Sequence, residues 1–198
     1  KTEVIQTALV GLVVLGDRVS LVGLCSLLLG LVGVLVLSDP PKPGQSGLLR
    51  RFGNRAALLG TASGAFFAIS AVGYRGATLQ VASDIPFLRA MLTVAAVTAA
   101  QSVFMALYLS WREPGELKRV WASRFTSVWM GLASLGGSVG WFTAFTLQNA
   151  AYVFAVGQVE VLFSMAASVL FFKEHITKRE LLGIALVTGS ILLLVSLG

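Results

Sequence analysis

The 198-residue sequence predicts an all-α fold, a polytopic helix bundle in a membrane. Three observations carry that expectation. Hydrophobic residues make up 56% of the chain and charged residues only 12%, where a soluble domain carries about 25% charge. The mean hydropathy is +0.85, too apolar for one core with a wet exterior. The apolar residues also fall in successive runs of about the ~20 residues that cross a hydrocarbon core, without the period-two alternation of a membrane β-strand.

The elements follow in order. The opening "KTEVIQTALVGLVVLG" reads as the second part of a spanning helix; Thr2 to Leu15 is too short to cross. With no initiator Met and no signal peptide, the chain is read as a fragment or as starting upstream. A second segment runs from Val19 to Leu37 and ends in the Pro-rich linker "SDPPKPGQSGLLRRFGNR". The third is Ala56 to Tyr74 and the fourth Ile85 to Leu109. The charged loop "SWREPGELKRVWASR" precedes the fifth, Phe125 to Leu147. The sixth is Tyr152 to Phe172, and "KEHITKRE" leads to the seventh, Leu181 to Leu197. All five prolines sit in loops or at a segment start, as their missing N–H requires. "GTASG" (Gly60, Gly64) and "GGSVG" (Gly136, Gly140) are small-xxx-small patterns expected to bring helix backbones together.

Charge sorts the loops. Lys42, Arg50, Arg51 and Arg55, then Arg112, Lys118, Arg119 and Arg124, then Lys173, Lys178 and Arg179 follow the even-numbered segments. Only Arg18, Arg75 and Arg89 stand on the other side. The net charge of +6 is therefore a topology signal and not a nucleic-acid one: the basic loops belong in the cytoplasm and the C-terminus outside. The one cysteine, Cys25, lies in an apolar run and has no disulfide partner. The one histidine, His175, lies in a charged loop without metal-ligand neighbours.

A repeat gives the sequence its functional content. "KTEVIQTALVGLVVLGDRVS" (Lys1 to Ser20) aligns without a gap on "QVEVLFSMAASVLFFKEHIT" (Gln158 to Thr177). Glu3 meets Glu160, Asp17 meets Glu174 and Ser20 meets Thr177. A Gly-containing apolar helix follows each copy. Residues at i, i+4 and i+8 share a helix face, so Glu3, Thr7 and Gly11 match Glu160, Ser164 and Ser168. Of nine acidic residues, only Glu3 and Glu160 lie well inside apolar segments. Glu160 is about 12 Å along its helix at ~1.5 Å per residue, near the middle of a ~30 Å core. An ionised carboxylate there costs at least ~2.5 kcal/mol and by default marks a pathway or proton site. The bland alternative is a hydrogen-bonded glutamate that only holds helices together.

The repeat-end signatures "LGDRVSLVGLCSLLLGLVGVLVLS" and "FFKEHITKRELLGIALVTGSILLLV", with "SDIPFLRAML" and its Arg89, resemble the EamA family of drug/metabolite transporters. That resemblance implies two inverted five-helix repeats with the first repeat truncated. Residues 1–38 would be its helices four and five, 39–55 a linker and 56–198 the second repeat, helices six to ten. Relatives with ten helices usually keep both termini in the cytoplasm, against the charge count. Many members carry proline near the carboxylates, where this chain has Val4 and Val161, so a broken-helix site is not expected. The implied activity is secondary transport of a small metabolite, an exporter alternating access between repeats. No Walker motif is present.

Glu3, Glu160, Gln158, Gln6, Lys1, Ser164, Thr7 and Trp141 are the candidate substrate or proton residues. Lys1 aligns with Gln158, and Glu160 across the repeat axis is one partner for it. Trp141 either stacks on a ligand or packs. Gln148, Asn149 and Tyr152 are read as a solvated turn at the membrane interface, and Arg89 as a headgroup anchor. The expected partners are a small-molecule substrate, the lipid bilayer and protons as coupling ion, with homodimerisation open. No cofactor, metal or nucleic acid is expected. The location is a cell membrane, the inner one in a bacterium. The rivals are a membrane scaffold without transport, or an intramembrane enzyme, for which the lone histidine and two separate carboxylates offer little.

Overall fold

The computed structural model describes residues 2–37, 55–113, 115–173 and 176–197. Lys1, most of the linker, Pro114, Glu174 and His175 lie outside the described residues. The described residues are 89% helical, with no strand among them. The chain is an all-α membrane helix bundle in two compact units, Lys1–Gly73 with Asn149–Gly198, and Tyr74–Gln148.

The first unit contains α1 (Glu3–Leu15), α2 (Leu21–Leu37), α7 (Ala150–Gly157), α8 (Val159–Phe172) and α9 (Lys178–Leu197). It also holds most of α3 (Arg55–Gln80). The repeat read in the sequence is visible in its caps. α1 ends on Gly16 at φ 69° and α8 on Lys173 at φ 53°, equivalent positions that both turn left-handed. Ser20 Oγ accepts from the N–H of Gly23 (2.9 Å), and Thr177 Oγ1 from that of Glu180 (3.2 Å). The Glu180 carboxylate in turn accepts from the Thr177 N–H (2.7 Å), closing a capping box. Equivalent hydroxyls thus start α2 and α9, and the ungapped register continues into these helices.

In that register Gly30 is the equivalent of Val187, and Gly33 of Ser190. The contacts are reciprocal: a Cβ on Gly30 would meet Ser190, and one on Gly33 would meet Val187. Gly183 packs against Leu37. Rising numbers on α2 meet falling numbers on α9, so the pair is antiparallel about a pseudo-two-fold axis across the seam. The glycines let the backbones close, which is what drives packing where lipid supplies no hydrophobic force. Val4, Leu27, Ala151, Tyr152, Ala155 and Leu194 form the core that joins α1 and α7 to this pair.

The second unit holds α4 (Pro86–Arg112), α5 (Glu116–Ala122), α6 (Arg124–Leu147) and the last turns of α3. Pro86 occupies the first turn of α4, where its missing N–H is harmless. Ala90, Val94 and Phe142 are its core, with Tyr74 stacked on Phe142 at 4.6 Å.

Among the described residues, four helical stretches are long and apolar enough to cross a membrane: Ala57–Gln80, Pro86–Arg112, Ala150–Phe172 and Lys178–Ser196. Their outer faces are apolar, with Phe66, Phe104 and Phe171 exposed, as a lipid-facing surface must be. Several expectations change. The third segment runs to Gln80 rather than Tyr74, because no proline or glycine cap stops it. The loop before the fifth segment contains α5. The fifth segment is a 24-residue helix, less apolar than the four because Gly, Ser and Thr dilute it. Gly64 packs against α1, but nothing lies within 4 Å of a Cβ built on Gly60, Gly136 or Gly140. The motif alone does not say which glycines are used.

Candidate functional site

The sixth segment is one helical stretch, Ala150–Phe172, that tightens at a single residue, Gln158. α7 ends at Gly157. The Gln158 N–H returns to the Ala155 carbonyl (3.2 Å), and the Val161 N–H to that of Gln158 (3.0 Å). These i→i+3 bonds make one tight turn between two helical pieces. The helix tightens there without breaking: Gln158 keeps a right-handed backbone (φ −58°, ψ −13°), and the stretch runs on from Ala150 to Phe172. Gln158, half-buried, faces a recess lined by Val4, Leu27, Gly30, Ala155 and Ser190. The recess sits where α1, α2, α9 and the turn meet, and is mainly apolar with two polar groups.

Two residues on, Glu160 stands in the first turn of α8, where the helix dipole favours a negative charge. It lies near the middle of the Ala150–Phe172 stretch, at the depth the sequence suggests. Its side chain is exposed, and so is Ser164 one turn further. Protein does not cover this face among the described residues. Two residues along a helix are about 200° apart, so with Gln158 turned to the recess Glu160 turns away from it.

The equivalent stripe on α1 is covered. Glu3 is half-buried, while Thr7 is fully buried and donates to the Glu3 carbonyl (2.7 Å). A Cβ on Gly11 would contact Val72 of α3. Gln6 Nε2 donates to the Thr61 carbonyl (3.3 Å), and its buried Oε1 has no hydrogen-bond partner. Gln6 Oε1 abuts Gly64, so the "GTASG" motif admits α1 at this point. One stripe is thus spent on helix packing and its counterpart is open. Trp141 belongs to the other unit, 5.8 Å from Phe145 between ring centroids.

Residues read as peripheral carry structure instead. Tyr152 is buried, and its hydroxyl accepts from the Ser20 N–H (2.9 Å) and lies 3.2 Å from Ser20 Oγ. Asn149 is buried and caps α7 by accepting from Ala151 N–H (2.9 Å). The solvated-turn reading holds for neither; the spacing from Asn149 to Ala151 was the available signal. Arg89 donates to the carbonyls of Thr78 (3.0 Å) and Leu79 (2.6 Å) at the end of α3. It ties down a helix end and is no simple headgroup anchor. Arg75, absent from the candidates, does the same for α6 through Phe145 and Gln148 (2.7 Å each). Helix ends leave four carbonyls unsatisfied, and in a bilayer each needs such a donor.

A family model described as the EamA-like transporter family matches residues 54–196. The chain belongs to the EamA-like transporter family. It is accordingly an integral membrane protein of a drug/metabolite transporter type, and EamA membership points to transport rather than enzyme chemistry. No curated protein and no solved structure matches the chain significantly.

Proposed function

We propose that this EamA protein is a secondary-active exporter of a small metabolite, alternating access between its two repeats, with Glu160 on the pathway. The observation that carries the reading is the open stripe of Glu160 and Ser164 at mid-span. A carboxylate at that depth is costly against hydrocarbon. Water or protein must therefore meet the face. Glu3, Gln6 and Gln158 lie at or beside the same repeat positions, and Lys1 is the counterpart of Gln158. Thr7 supports the helix rather than the substrate. Protons are the proposed coupling ion, and the direction rests on the family resemblance. The basic loops face the cytoplasm of a cell membrane, and a homodimer is compatible with this arrangement.

The test is flux of a panel of radiolabelled small metabolites in proteoliposomes across a pH series. Glu160→Gln keeps volume and hydrogen bonding but removes the titratable charge. It should cut flux at least tenfold, about 1.4 kcal/mol, and flatten the pH profile. Unchanged flux and pH profile in both Glu160→Gln and Glu3→Gln would remove the carboxylates from the mechanism.

A further inference from the structure

Four residues after α4 ends at Arg112, the seven-residue helix α5 begins. Because α4 is long and apolar enough to cross a membrane, the helix that follows so closely lies at the level of the membrane surface. Leu117, Val120 and Trp121 fall at i, i+3 and i+4, one face of α5. None is covered: they are 41%, 54% and 70% exposed. Lys118 and Arg119 occupy the other side. Trp111 precedes the helix at 79% exposure and Phe125 follows at 74%.

The flanking cations sit beside the aromatic rings. The Arg112 guanidinium lies 5.5 Å from the Trp111 ring, and that of Arg124 lies 5.3 Å from Trp121 and 4.6 Å from Phe125. Arg124 also donates to the Trp121 carbonyl (3.0 Å). Arg119 is ion-paired with Glu116, so its charge is matched within the helix. From Arg112 to Arg124 the basic residues outnumber Glu113 and Glu116, which leaves the stretch net positive. An apolar face with Trp anchors and an opposed basic face is the pattern of a helix lying in the headgroup layer, and Trp is favoured at that depth.

We propose that α5 and its flanks form an interfacial site for anionic phospholipid. Leu117, Val120 and Trp121 enter the acyl boundary, while Lys118, Arg112 and Arg124 meet the phosphates. The proposal goes beyond transport and does not depend on it.

The experiment uses the full chain in bilayers, with Trp111, Trp129 and Trp141 changed to Phe so that Trp121 alone fluoresces. Bromines at shallow acyl positions should quench Trp121 more than deep ones, and aqueous iodide should quench it weakly. Nitroxide-labelled phosphatidylglycerol should quench it several-fold more than labelled phosphatidylcholine. Neutralising Lys118→Gln and Arg124→Gln together should shrink that preference by about fivefold or more. Raising salt to about 1 M should do the same without any charge substitution. Strong iodide quenching without bromine quenching would place α5 in water and overturn the proposal. Equal quenching by the two labelled lipids at low salt would overturn it as well.

Discussion

The Tyr152 hydroxyl, wedged against Gly23 and bonded to Ser20, links the start of α7 to the turn between α1 and α2. Tyr152→Phe leaves the Ser20 N–H without its partner and should lower stability by about 1 kcal/mol. Gly23→Ala drives a Cβ into the hydroxyl and should cost about 1–3 kcal/mol. Denaturant unfolding in mixed micelles measures both, and a neutral Gly23→Ala would show that the tyrosine swings away freely. Gly16, at φ 69° with nothing within 4 Å of its Cβ position, is a purely backbone case. Gly16→Ala should cost about 1 kcal/mol or more, whereas Lys173→Gly should stabilise by relieving the same conformation. The depth of Glu160 in its helix and the Ser20/Thr177 equivalence were legible in the sequence, because a carboxylate in an apolar run and a hydroxyl before a helix are local signals. The roles of Arg75, Arg89 and Asn149 were not, since each depends on which helix end folding brings within reach.

Among the elements, the α2–α9 seam depends on glycine at specific points and not on glycine content. Gly33→Val places a branched side chain against the backbone of Val187, an overpacking that should cost about 1–3 kcal/mol. Gly183→Val should weaken the same seam against Leu37. In contrast, Gly136→Ala and Gly140→Ala meet open space and should be neutral or stabilise α6 by up to ~1 kcal/mol through helix propensity. Thermal unfolding of the four variants separates the two groups; equal loss in all would mean that α6 is packed as closely as α2. Sequence periodicity located the spanning segments but not the turn at Gly157–Gln158. A glycine inside a helix pattern is common, and only the hydrogen bonding shows that the helix tightens there. α5 escaped notice because seven residues fall below the length at which apolar periodicity stands out.

At the scale of the molecule, the matching caps of α1–α2 and α8–α9 were readable from one ungapped alignment, and the family from its repeat ends. Which copy of the polar stripe stays open was not readable, because both copies carry the same residue types. Thr7 and Gly11 on α1 are buried, Gly11 beside Val72 of α3, while Glu160 and Ser164 on α8 remain exposed. If the open stripe lines an aqueous pathway, a thiol placed there must meet water although it lies at mid-bilayer depth. The chain has one cysteine, Cys25, so Cys25→Ser gives a clean background. In that background, Glu160→Cys and Ser164→Cys are reacted with a membrane-impermeant thiol reagent in proteoliposomes of the full chain. Phe104→Cys, on an exposed apolar face of α4, is the lipid-facing control. The transport reading predicts rapid labelling at 160 and 164 and none at 104; labelling at 160 and 164 as slow as at 104 would place the stripe in lipid and contradict it.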